Sequence, residues 1–394
     1  MDAFADFFPD LLVFAALLLG AIALTPVVEA AGLPGPAAFL AVGVAAGHFD
    51  VIPTDGLGEL PLEEIGALAL YGILFQGGVA TGFRAWKSEA RPILALGTIG
   101  TAATAGVLAA FAHYLLGLEW TLAALVAVAL SPTDPAAVYA TFRGRDQLRR
   151  PRVVLEGESG FNDPVSISLM VAVVAFVSSD GATVTESALH LAQELGLGLI
   201  GGIIGAGILI GLLKATPQLE EALQSIAILV MVVIIGAGTA VMHGSGFLAV
   251  YVAGLLFADS WARQDGTHHA IPEAVSAAAE PVLFGLLGAV FAPRLAAGDI
   301  LDGTLLTLAT VFILRPAVVI SCLTHGRFSR TDKLVVAVGG LKGAVPLLLA
   351  GYAALESLPQ TNRTEAIVLS ATAASILLQG WGLTLITRRN VENE

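Results

Sequence analysis

Residues 130–138 read LSPTDPAAV and residues 156–167 read EGESGFNDPVSI, and both stretches lie inside long apolar runs. The first sets Asp134 about fourteen residues into the run 120–142, flanked by Pro132 and Pro135. The second sets Asp163 about eleven residues into the run 152–177. A carboxylate in the middle of such a run is costly, so it marks a functional position by default. The number and length of the runs decide the fold. A helix crossing a ~30 Å hydrocarbon core needs ~20 mostly apolar residues. Runs meeting or approaching that length cover 11–28, 37–51, 65–81, 92–116, 120–142, 152–177, 189–213, 223–242, 244–258, 278–296, 303–324, 332–353 and 365–387. The sequence therefore reads as an all-α integral membrane protein of about thirteen transmembrane helices, one membrane domain over residues 1–394.

Composition points the same way. The chain is 56% hydrophobic and only 13% charged, about half the charge of a soluble domain. Its 44 glycines suit close-packed membrane helices. A formal net charge of −13 with few basic residues leaves no footprint for nucleic acid. The single cysteine, Cys322, excludes an intrachain disulfide and any multi-cysteine metal cluster. The opening MDAFADFFPD has three Asp and no Lys or Arg, so the first run is expected to stay as a helix and not to be cleaved as a signal peptide.

The basic residues test the span count. Arg84, Lys87, Arg91, Arg143, Arg145, Arg149, Arg150, Arg152, Lys214, Arg263, Arg327, Arg330, Lys333, Arg388 and Arg389 all fall on one side of the predicted topology. Arg294 and Arg363 fall on the other, where Asp50, Asp55, Glu59, Glu63 and Glu64 share a loop. The positive-inside rule then sets the N-terminus outside and the C-terminus in the cytoplasm of a cell (inner) membrane.

Two further charges interrupt the runs, Arg315 in the eleventh and Lys342 in the twelfth. At 1.5 Å per residue all four charges lie roughly 15–21 Å from a run end, near the midplane of the bilayer. Prolines flank Thr133 and Asp134, while Gly339, Gly340, Gly343 and Pro346 surround Lys342. Proline removes an amide donor and glycine weakens the helix, so both spans are expected to break there. Interrupted spans at matching positions of two halves are the sequence pointer to a secondary-transporter site. The fifth and twelfth spans are seven apart and cross in opposite directions. This matches inverted repeats over 1–178 (spans 1–6) and 223–387 (spans 8–13), with 189–213 as a linker span and two crossed discontinuous helices.

Ser159 and Asp163 are four residues apart on one helical face, and Glu158 and Asn162 share a neighbouring one. Burial and nearby cations act on the Asp163 carboxyl in opposite senses, which lets a proton and a metal ion compete for it. Hard monovalent cations want oxygen ligands, and Asp163, Ser159, Thr133 and freed backbone carbonyls supply them; Gln76, about twelve residues into the third run, lies at the same depth. No His or Cys cluster is present for a transition metal. His243, His268 and His269 read as loop residues, Glu156 as a partner for the loop arginines, and Glu280, before Pro281, as a helix start. Three functions stay open on these residues: an antiporter, a cation channel or cation-binding regulatory membrane protein, and an intramembrane aspartyl protease using Asp134 and Asp163. The cationic Arg315 and Lys342 oppose the proton sharing that a protease needs.

Together SPTDPAAV (131–138), ESGFNDP (158–164) and GGLKGAVP (339–346) resemble the NhaP-type sodium– or potassium–proton antiporters, which include the eukaryotic sodium–proton exchangers. The resemblance runs through the whole chain in order and spacing. It implies that Asp163 carries cation and proton in turn, with Asn162 marking an electroneutral branch. Thr133 and Asp134 would line the crossed helices, and Glu158 would pair with Arg315, in a structural group that includes Lys342. It also implies a homodimer in which a six-helix core moves against an interface domain, elevator-like. The transported ions are the substrates, and no cofactor is implied. Two positions depart from the family: Gln76 in FQGG stands where many relatives have an acid, and Lys342 where Arg is usual. Some relatives carry a cytosolic domain after the last span, where this chain has ITRRNVENE.

Overall fold

The computed structural model describes residues 7–51, 62–134, 149–178, 184–261, 270–324, 328–355, 358 and 360–392. Of the positions singled out above, Asp55, Glu59, Pro135, Arg143, Arg145, Arg263, His268, His269 and Arg327 lie outside the described residues. Everything regular among the described residues is helix. In chain order the main helices are α1 (Phe7–Ala30), α2 (Pro36–His48), α3 (Leu62–Thr81), α4 (Ala90–Leu116), α5 (Trp120–Ala129), α6 (Arg149–Ser178) and α7 (Val184–Ala215). They continue with α8 (Glu221–Val241), α9 (Gly246–Trp261), α10 (Ala270–Phe291), α11 (Ala297–Cys322), α12 (Arg330–Val338), α13 (Ala344–Leu355) and α14 (Thr361–Glu392).

Nine helices among the described residues, α1, α3, α4, α6, α7, α8, α10, α11 and α14, are long and apolar enough to cross a membrane. The second, fifth, ninth and twelfth runs carry the shorter apolar helices α2, α5, α9 and α13. Two of these are short because the chain leaves helix within the run. α5 stops at Ala129 and the backbone is irregular through Asp134, while α12 stops at Val338 and α13 begins only at Ala344. Irregular backbone at membrane depth is tolerated only where protein buries it, and Ser131, Thr133, Asp134, Leu341 and Lys342 are all buried.

Helix packing surrounds those breaks. α9 runs against α3 and α7, α10 against α2 and α3, and α11 against α14. Glycine permits the closest approaches: a Cβ at Gly78 of α3 would strike the Tyr251 carbonyl of α9, and one at Gly254 the Phe75 carbonyl. Small residues at such contacts are the usual way membrane helices come together. α4 and α11 each contain a stretch of wider π-helix, Ala95–Gly100 and Thr310–Leu314. The second ends immediately before Arg315, and a π-turn changes the direction of the side chains that follow it.

Candidate functional site

The first break is held by side chains of α6. Ser131 donates its hydroxyl to the Val128 carbonyl at 2.8 Å, satisfying part of the frayed end of α5, and pairs with the Ser166 hydroxyl at 2.8 Å. Asn162 grips Thr133 twice: its Oδ1 accepts from the Thr133 amide at 3.3 Å, and its Nδ2 donates to Thr133 Oγ1 at 2.7 Å. The Thr133 and Ser159 hydroxyls lie 3.0 Å apart. Asn162 is thus a positioning residue for the irregular segment in this geometry.

The second break is held in the same way by α14. The Lys342 amide donates to Ser375 Oγ at 3.0 Å, Ser375 donates to Gln379 Oε1 at 2.6 Å, and Gln379 Nε2 donates to the Val338 carbonyl at 3.1 Å. Ser375 and Gln379 are fully buried. The two breaks then meet, because the Asp134 amide donates to the Leu341 carbonyl at 2.8 Å. Sequence reading missed Ser375 and Gln379, which are small or neutral polar groups in an apolar run. Their spacing of four, one helical turn, was the only available signal.

Each intramembrane cation sits at the carboxyl end of a half-helix, where unpaired carbonyls and the helix dipole favour positive charge. Lys342 Nζ donates to the Pro132 carbonyl at 3.0 Å. Arg315 Nη2 donates to the Val336 carbonyl at 3.2 Å and to Glu158 Oε2 at 2.7 Å, while Nη1 bonds Glu158 Oε1. Glu158 and Arg315 therefore form a buried bidentate pair. Lys342, expected with that pair, instead serves the first break. A single carbonyl needs no planar fork, which accounts physically for a lysine there. Glu156 accepts from Arg152 at 2.7 Å, one turn back on α6.

At the crossing lies a small cavity of about 20 Å³, room for one water-sized particle. Thr133, Asp134 and Asp163 line it together with Leu70, Ile73, Glu280, Phe284 and the Gly343–Pro346 start of α13. Asp163 is only 2% exposed, and its Oδ1 is buried with no hydrogen-bond partner. Glu280 Oε1 is in the same position. Glu280 does not start a helix as its Pro281 neighbour implies: α10 begins at Ala270 and carries both residues inside it. Proline mid-helix is tolerated in membranes when neighbours re-satisfy the freed backbone. Gln76 does not reach the cavity wall, to which α3 contributes Leu70 and Ile73; its Oε1 is a buried acceptor without a partner. Ser159 and Asn162 stand behind the wall, through Thr133.

Gly343 keeps the crossing this tight. A Cβ there would lie 2.6 Å from both Cγ and Oδ2 of Asp134, closer than real contacts allow. Gly343→Ala is expected to cost about 1–3 kcal/mol of stability as overpacking and to slow transport. Gly207→Ala, where a Cβ would meet nothing within 4 Å, is the control. Melting curves of the two variants in detergent check this; equal behaviour would contradict the tight crossing.

Against known proteins, the family described as sodium/hydrogen exchanger, transmembrane, matches residues 14–389. The chain belongs to the sodium/hydrogen exchanger family. The K(+)/H(+) antiporter NhaP2 of Shewanella sp. (strain ANA-3) is 30% identical to this exchanger-family chain over 400 residues, 98% of the chain and 67% of the relative. The Na(+)/H(+) antiporter NhaS2 of Synechocystis sp. is 26% identical over 329 residues, 80% of this chain and 60% of the relative. The chain thus spans roughly two thirds of the length of these relatives. The sodium proton antiporter MjNhaP1 from Methanocaldococcus jannaschii superposes with a TM-score of 0.79 at 21% identity, covering 95% of this chain and 99% of that one. That likeness establishes the fold: this exchanger-family chain has an all-helical antiporter architecture.

Proposed function

We propose that the chain is a secondary active antiporter exchanging Na⁺ or K⁺ for H⁺ across a cell (inner) membrane. One observation carries this reading most directly: a buried carboxylate oxygen of Asp163 without a donor, facing a one-particle cavity where two broken helices cross. Such an oxygen is costly to leave empty; a proton or a bare cation relieves it. The family membership and the cation–proton antiporter names of the relatives support the same reading. Asp163 is the group that alternates between cation and proton. Thr133 offers a hydroxyl lone pair at the cavity, Ser159 supports it from behind the wall, Asp134 adds charge, Asn162 sets the break, and Gln76, off the wall in this geometry, is an accessory oxygen brought in when the site closes. Glu158 and Arg315 hold the scaffold, and Lys342 neutralises the end of α5.

The elevator-like motion, the homodimer and the orientation with N-terminus outside and C-terminus cytoplasmic belong to this proposal. The inverted repeats do too, and paired features support them. The breaks fall in the fifth and twelfth runs, the π-turns in α4 and α11, and each break is held by the helix of the next run, α6 or α14. Cation-driven dequenching of a pH dye in proteoliposomes, run with sodium, potassium and lithium, tests the activity. Proton-independent cation flux would make the chain a channel, and no flux would sink the reading.

Exchange is expected to be electroneutral, since Asp163, with an amide neighbour, is the one carboxylate that trades a proton, one for one monovalent cation. An imposed membrane potential should then leave the steady-state ion gradient unchanged. A gradient that follows the potential refutes the one-carboxylate account.

A further inference from the structure

The cavity at the crossing is built from two sides. α6 brings Asp163 and the first break brings Asp134 and Thr133; α10 brings Glu280 and, one turn on, Phe284. Glu280 is half-buried as a residue, but its Oε1 is shut off from solvent and has no hydrogen-bond partner, and the same holds for Asp163 Oδ1. An acceptor buried without a donor is unfavourable, and two such acceptors line this one void. A cation between them removes both penalties.

The other groups nearby are already engaged. Lys342 Nζ is turned to the Pro132 carbonyl, the Thr133 hydroxyl is bonded by Asn162 and Ser159 and keeps at most one lone pair for an ion, and α3 offers the void only Leu70 and Ile73. With room for a single water-sized particle, the void suits a dehydrated monovalent cation. Among the described residues no three His, Cys, Asp or Glu side chains draw close enough to hold a metal by themselves. The acids line one space without converging on a point, as fits a site that closes around its ion.

We propose that Glu280 is a cation-binding residue, a second carboxylate that α10 contributes to the ion site opposite Asp163. The cation then bridges α6 and α10. Because α10 packs chiefly on α2 and α3 while α6 also packs on α4 and α5, binding adds a direct tie between two helices that otherwise meet through α3 and α13. Cation binding should therefore stiffen the protein as well as feed transport. This inference deepens the antiport reading and rests on it for its ligand.

The test uses the full chain, purified and reconstituted, with potassium and sodium as probes. Glu280→Gln should raise the apparent KM for the exchanged cation at least about tenfold, with maximal rate held within a few-fold. It should also abolish the rise in melting temperature that the cation gives the wild type in detergent. Unchanged KM together with an unchanged cation-dependent melting shift would overturn the assignment. If the wild type exchanges neither cation for protons, the antiport reading fails; the melting shift, compared between wild type and Glu280→Gln, still decides whether Glu280 binds a cation. Should Glu280→Gln not fold, Glu280→Asp keeps the charge but withdraws it by a methylene. A raised KM in that variant supports the assignment, and a wild-type KM with a wild-type melting shift makes Glu280 a structural residue.

Discussion

Asp163→Asn is expected to bring cation–proton exchange down to the background of protein-free liposomes while the protein still folds. The substitution keeps the size and shape of the side chain, so the wall of the cavity is preserved. It removes the group that can hold either a proton or a cation with the loss of the other. An amide does not bind a proton in the working range, so the alternation stops even if a cation still enters. Folding should not suffer, because Asp163 Oδ1 has no donor to lose and its replacement is uncharged in a buried position. The melting temperature is expected to equal or exceed that of the wild type. Dye dequenching and a melting curve on the same preparation separate the outcomes. Residual exchange well above background would pass the alternating role to another carboxyl at the cavity, with Asp134 and Glu280 as the candidates.

Much of this arrangement could be read before any coordinates. Apolar run length located the helices, and Pro132 and the glycines around Lys342 located the breaks, because both signals depend on local backbone chemistry. Depth along a run brought Asp134, Asp163, Arg315 and Lys342 to one level. Depth does not fix the direction in which a side chain points. Counting along the run assigned Gln76 to that same level, but the cavity takes Ile73, three residues earlier, as its wall. Glu280 illustrates the opposite failure. Its proline neighbour made it look like a helix start, whereas the helix begins ten residues earlier and turns the carboxylate into the cavity. Ser375 and Gln379 carried no charge to mark them, and their importance arises only when a broken helix from elsewhere in the chain lays its unpaired backbone groups against α14. Tertiary contacts of that kind leave no local pattern.

Glu158→Gln should damage stability far more than cation affinity. Glu158 is 1% exposed and holds Arg315 through both terminal guanidinium nitrogens. With a neutral partner, Arg315 keeps its charge and its bond to the Val336 carbonyl but loses the counter-charge that makes burial tolerable. Removing one partner of a buried pair costs about 3–5 kcal/mol, which should appear as a large fall in melting temperature. The damage extends to the second break, because a Cβ at Gly340 would lie 2.6 Å from Arg315 Nε; the guanidinium rests against that backbone and steadies the segment that meets Asp134. Ion affinity should change little in protein that remains folded, since Glu158 is not part of the cavity wall. Replacing both partners, Glu158→Gln with Arg315→Met, should recover much of the loss, because no uncompensated charge is left buried. A variant pair that shows additive losses would mean that the two residues act separately. Unchanged melting in Glu158→Gln with sharply weaker cation affinity would move Glu158 from the scaffold into the ion site.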